Sequence, residues 1–231
     1  MASRVRPRIG RFGGASMMGG SGNSMMGRSG YQWMMGRTNA PGWMHGETLP
    51  SYMMGTNTDP GKVMGQLFAD APGPRVSATD ATNLGNDIPA GATVNRTNNR
   101  IIFSISMVHF AVIASPAGGP DEKFRIAGLV NPTVVVPVSA RTTIELVNAD
   151  PDTAHGLVVT DNANATSAMP MMTATPAFGG AALWFLGNPT TTGMHVGTIT
   201  FTASTAGTYQ YLCPLPGHTA KGMHGILDVE G

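Results

Sequence analysis

From residue 101 onward the chain is a succession of short runs rich in Val, Ile, Thr and aromatic residues, each closed by Gly, Pro, Asn or Ser. The runs fall at 101–113 (one long strand or two), 133–138, 142–147, 156–160, 197–202, 208–212 and 225–229. β-branched side chains fit a pleated, half-buried surface, and runs of this length between turn residues read as strands. No amphipathic helical pattern competes with them, so the expectation is an all-β protein, an antiparallel sandwich or barrel. Pro137 cannot donate to a ladder and belongs at an edge, an end or a bulge. Residues 61–68 read as a short helix or an edge segment, and 169–189 as a long loop.

Residues 1–58 have another character. Met pairs recur at 17–18, 25–26, 34–35 and 53–54, each followed by Gly, with Trp43-Met44-His45-Gly46 as a variant. Gly at this density carries a large backbone entropy, so the segment reads as a disordered, Met/Gly-rich N-terminal arm, with a folded domain from 59 to 231. The arm carries Arg4, Arg6, Arg8, Arg11, Arg28 and Arg37 against Glu47 alone, while the whole chain is nearly neutral at +1. That asymmetry suggests an interaction tail, and no nucleic-acid motif accompanies it. Nor does any apolar run reach the roughly 18–20 residues that span a bilayer. The basic N-terminus also lacks the apolar core of a secretory signal.

Chemistry concentrates near the C-terminus. Cys213, His218 and Met223 stand five residues apart on one Gly- and Pro-rich loop. As the only cysteine, Cys213 has no disulfide partner within the chain. Taken singly, a buried Cys or Met is ordinarily a small or adaptable core hydrophobe. Together, soft sulfur and borderline nitrogen select copper over magnesium, calcium or manganese, and two His, one Cys and a distant axial Met make a blue-copper electron-transfer site. The loop supplies three of the four, so a second His comes from elsewhere. His155 is the best candidate; His45, His109, His195 and His224 are its rivals.

These motifs resemble those of the cupredoxins, and within that family the rusticyanin branch. The resemblance is carried by residues 131–137 and 144–148 before His155, by 206–213 leading to Cys213, by Pro216-Gly217-His218 and by Lys221-Gly222-Met223. It runs over roughly 60–231, with a weaker likeness of residues 85–103 to the branch's N-terminal extension. The five-residue spacing is shared with sulfocyanin and auracyanin; residues 167–170 and the aromatic stretch to Phe185 favour rusticyanin. What the resemblance implies is a Greek-key β-sandwich with one type 1 copper ion on His155, Cys213, His218 and Met223. It also implies binding through Nδ1 of both imidazoles, with Nε2 of His218 facing outward as an electron exit. Pro214 removes an N–H near the sulfur. Met169, Met171, Met172, Phe178, Trp184 and Phe185 are candidates for an apolar shell, and both features raise a reduction potential. One position departs from the branch: Gly156 stands where it carries a hydroxyl residue, so that side chain's hydrogen bond is missing here.

The expected function is therefore single-electron transfer at high potential between redox proteins, such as a c-type cytochrome or terminal oxidase, outside the cytoplasm. An enzyme is not expected. Cys213 is flanked by Leu212 and Pro214 rather than by a His that would wire it to a second copper, and a binuclear copper centre needs two cysteines. The competing reading is a copper store or chaperone in which paired Met thioethers of the arm gather Cu(I), which soft ligands suit. The arm is also a candidate for docking to a membrane or a complex.

Overall fold

A computed structural model describes residues 59–161 and 170–231. The arm, and within the predicted long loop residues 162–169 with Met169, lie outside the described residues. In chain order the elements are α1 (Pro60–Leu67), β1 (Arg75–Val76), α2 (Ala78–Asn86), β2 (Ala92–Asn95), β3 (Arg100–Phe103) and β4 (Met107–Ala114). Then follow β5 (Phe124–Ile126), β6 (Leu129–Val130), β7 (Thr133–Pro137), β8 (Arg141–Asn148) and β9 (His155–Thr160). The chain closes with α3 (Pro170–Thr173), β10 (Ala182–Leu186), β11 (Met194–Thr202), β12 (Gly207–Leu212) and β13 (His224–Glu230).

The strands form two sheets, in the orders β1-β11-β8-β4-β5-β6 and β10-β9-β12-β13-β7-β3-β2. The all-β sandwich expected from the strand runs is the observed fold, with three parallel pairs (β3–β7, β4–β8 and β7–β13) among otherwise antiparallel neighbours. Alternation explains which side chains meet between the sheets. In β4, Val108, Phe110 and Val112 are buried while Met107 and His109 are exposed. Ile144 and Leu146 of β8, Ile101 and Phe103 of β3, and Leu227 and Val229 of β13 join the same core. β9 is buried along its whole length, as a strand covered on both faces must be. The predicted run 101–113 is two strands, since β3 and β4 belong to different sheets. Pro137 ends β7 beyond the last residue paired with β3, so its missing N–H is lost to no neighbour on that side.

Two expectations need correction. The stretch 169–189 is not a continuous loop: it contains α3 and β10, and β10 pairs with β9 through an irregular register between Leu183 and Leu186. Residues 78–86 form a helix that the strand pattern did not suggest. Ser77 caps it by accepting from Asp80 N–H at 3.1 Å.

The ends of β9, β12 and β13 lie side by side, with β12 between the other two. Tyr211 braces this point from below, its hydroxyl donating to Pro132 O at 2.6 Å. Gly225, its register partner, leaves the ring room: a Cβ there would overlap the Tyr211 hydroxyl.

Candidate metal centre

Cys213 follows the last residue of β12, and Met223 precedes the first of β13. The nine residues between them are wound by their own backbone. Cys213 N–H donates to Met223 O at 3.1 Å and Met223 N–H to His218 O at 3.0 Å. Thr219 Oγ1 donates to Cys213 O at 2.7 Å. The turns need Gly217 and Gly222, at φ of 84° and 90°, a region disfavoured for side-chain-bearing residues. From outside, Asn131 Nδ2 donates to Gly222 O at 2.8 Å, and Lys123 Nζ donates to Lys221 O.

His155, at the start of β9, completes the cluster. Its Nδ1 stands 3.7 Å from Cys213 Sγ and 3.2 Å from His218 Nδ1, and His218 Nδ1 is 3.5 Å from the same sulfur. All three residues are buried. Met223 is fully buried too, at the loop's end, its backbone bonded to both Cys213 and His218. Among the rivals, His109 is an exposed strand residue facing Glu145, His195 bonds Ala69 O through Nε2, and His224 lies within β13. His45 lies outside the described residues.

Protonation follows the geometry. Burial alone raises the Cys213 thiol, yet hydrogen bonds and charge from His155 and His218 outweigh it and hold it down at about 6. Burial alone lowers His155, but Asp150 and then Cys213 push it up to about 9. Burial alone raises Asp150, and the bonds from His155 and from Asp152 N–H hold it well below the usual carboxylate range. The cluster therefore favours a thiolate beside a cationic ring, a place where positive charge is already required. Donor separations of 3.2–3.7 Å are those that bonds of about 2.0–2.3 Å from nitrogen and sulfur to a shared ion produce. The donor set fits a single type 1 copper ion.

Three features differ from the sequence-based picture. Nε2 of His218 does not face outward: the residue is 1% exposed, and Nε2 is buried without a hydrogen-bond partner among the described residues. The cover is α1. Asp59 caps this helix by accepting Gly61 N–H at 2.9 Å, and Pro60 follows at the first helical position. Gly61 and Gly65 then face the body. Ala154 N–H donates to Gly61 O at 3.0 Å, and Asn188 N–H to Gly65 O at 2.9 Å. A Cβ on Gly61 would lie 3.0 Å from His218 Nε2 and 2.8 Å from Thr153 Cγ2. Second, Gly156 is required where it stands, because any Cβ there would overlap Trp184 O of β10. Its own N–H points to Cys213 Sγ at 3.5 Å. Third, the apolar shell is narrower than expected. Met172 is 79% exposed and contributes nothing, whereas Met171 is tied to the ligand loop through Pro214 O at 2.9 Å. Phe178 stacks on Phe201, and Phe185 meets Phe68 at the end of α1.

The residues that the sequence reading missed surround His155. Nε2 of His155 is 2.9 Å from Asp150 Oδ2 and 3.1 Å from Ser115 Oγ. An Asp five residues before a ligand candidate gives a weak signal; a Ser forty residues away gives none.

No protein-family model matches this sequence. Rusticyanin of Acidithiobacillus ferrooxidans (strain ATCC 23270) is 28% identical over 135 residues, 58% of this chain and 69% of that protein. A second A. ferrooxidans rusticyanin is 28% identical over 139 residues, 60% and 86% of the two chains. The solved rusticyanin of Thiobacillus ferrooxidans superposes with a TM-score of 0.57 at 26% identity, over 68% of this chain and 96% of that one. Reduced rusticyanin gives 0.56 at 26%, over 68% and 99%. The chain has the cupredoxin fold. Two sheets with His155, Cys213 and His218 gathered at one end, and the likeness to rusticyanin, support a blue copper electron-transfer protein.

Proposed function

We propose that His155 and His218 through Nδ1, Cys213 through Sγ and Met223 through its thioether hold one copper ion, and that the protein carries single electrons between redox partners. The convergence of two ring nitrogens and one thiolate within 3.7 Å in a buried site carries this reading. The ion supplies the one-electron couple; the chain keeps the ligands where both oxidation states accept them. The hydrogen-bonded loop from Cys213 to Met223 resists rearrangement, so little reorganisation accompanies each transfer. The site is dry, with His155, Cys213, His218 and Met223 all buried and α1 over the His218 edge, and Gly156 N–H is the one backbone donor to the sulfur among the described residues. Both features favour a high potential.

The division into an arm (1–58) and a cupredoxin domain with an N-terminal extension (59–231) belongs to the same proposal. So do a c-type cytochrome or terminal oxidase as partner, a location outside the cytoplasm, and carriage rather than catalysis. No helix among the described residues is long and apolar enough to cross a membrane. Copper titration of the whole chain is the test. One equivalent with an intense blue thiolate band that bleaches reversibly on reduction, and is absent from Cys213→Ser, supports the carrier. A colourless protein holding several equivalents of Cu(I) supports the storage reading, and turnover of nitrite or oxygen an enzyme.

A further inference from the structure

We infer that Asp150 tunes the copper centre through the far nitrogen of His155, favouring the oxidised state against the pull of the dry site. The inference rests on His155 as a ligand. A carboxylate accepts but does not donate, so a 2.9 Å contact with Asp150 Oδ2 keeps the hydrogen on Nε2. That leaves the lone pair of Nδ1 for the side facing Cys213 and His218. The side chains of His155 and Asp150 are 0% and 3% exposed, so no water competes for the bond.

Asp150 is also fixed in place. Its Oδ1 accepts from Asp152 N–H at 3.0 Å and from Thr153 N–H at 3.1 Å. Its own N–H donates to Asn148 Oδ1 at 3.0 Å. Asn148 in turn donates through Nδ2 to Thr153 O, Leu186 O and Gly187 O. The carboxylate cannot swing away without breaking this set. Ser115 supplies a second acceptor at 3.1 Å from a left-handed backbone (φ 46°), steadied by Glu122 N–H donating to its Oγ at 3.0 Å.

An anion hydrogen-bonded to the back of a ligand imidazole makes that ring a stronger donor. A stronger donor, and a buried negative charge nearby, stabilise a dication more than a monocation. Asp150 thus lowers the potential relative to a neutral acceptor at the same place. It is a positioning residue, and it would remain one if its only task were to brace the loop, so the test must separate bracing from tuning.

Asp150→Asn in the full chain keeps the shape and removes the charge. The expected result is a protein that still turns blue with one copper but loses Cu(II) affinity on the order of tenfold more than Cu(I) affinity. Redox titration reads that ratio as an upward shift of about 59 mV for one electron. Ser115→Ala, which leaves the carboxylate, shifts the potential less. A blue Asp150→Asn protein with the parent's potential overturns the inference and leaves the copper reading intact; a parent that never turns blue overturns the copper reading itself. If Asp150→Asn cannot hold copper, the reduced parent decides by NMR: a His155 Nε2–H that exchanges slowly with water supports the inference, and a ring proton lost to rapid exchange refutes it.

Discussion

The two imidazoles of the site are alike in residue type, in burial and in the nitrogen they turn toward Cys213, and they differ behind the ring. His155 has a carboxylate and a hydroxyl at Nε2; His218 has none and is closed off by the glycine face of α1. A buried N–H without an acceptor costs about 1–3 kcal/mol, whereas a buried ring bonded to a carboxylate resists removal from either side. His155 is anchored through its side chain by Asp150 and Ser115, whereas His218 is held by the backbone of its loop and merely covered. If electrons leave by the covered edge, the helix above it stands in their way.

The largest expected difference appears without metal. In His155→Ala the buried Asp150 carboxylate loses its cationic partner, a loss of about 3–5 kcal/mol beyond the cavity itself. In His218→Ala a similar cavity forms, but the unpartnered N–H leaves with the ring. Urea denaturation of the two metal-free variants should therefore separate them by about 3 kcal/mol. Equal losses would break the comparison.

Next comes the cover. A Cβ on Gly65 would overlap the Asn188 side-chain oxygen and lie 2.8 Å from Ala154 N, a backbone atom that cannot give way cheaply. Gly65→Ala should lift α1 at about 1–3 kcal/mol of stability, leave the blue band in place, and speed electron self-exchange measured by NMR line broadening. An unchanged exchange rate in a destabilised protein would mean that electrons do not pass by the His218 edge. Asp59→Ala acts on the same helix more gently. It removes the acceptor for Gly61 N–H, which is worth about 1 kcal/mol, and should raise exchange by less than Gly65→Ala does.

These two sides of the site were unequally legible in the sequence. The loop from Cys213 to Met223 could be read because its donors are contiguous, and the strand runs could be read because β-branched clusters between turn residues have few other uses. His155 could be ranked ahead of the other histidines but not tied to the loop by spacing, since its identity as a site residue depends on β9 lying beside β12. β10 was hidden because Ala182–Leu186 does not alternate: all five residues are half-buried, so no two-residue period marks the strand. The Ser77 and Asp80 pair that opens α2 is a capping signal visible in the chain, yet the helix behind it is polar and has little pattern to follow. Least legible was the closure over His218. Nothing in residues 213–223 reports that a helix beginning at Pro60 lies on the ring, because the contact needs glycine, which leaves no hydrophobic trace.

The smallest effect tests what holds α1 down. Lys62 and Asp152 form a 2.6 Å ion pair across the helix edge, the shortest salt bridge among the described residues. Both side chains are more than half exposed, at 53% and 58%, so water screens the pair and each long side chain gives up freedom to make it. Lys62→Ala should change neither denaturation midpoint nor self-exchange rate, and raising the salt concentration should not mimic Gly65→Ala. The reason is geometric: the helix is seated by Gly61 O and Gly65 O accepting from Ala154 and Asn188, bonds that lie beneath it and away from solvent. If Lys62→Ala did accelerate exchange, surface charge rather than the glycine face would be the restraint, and ionic strength would become the natural control of access to His218.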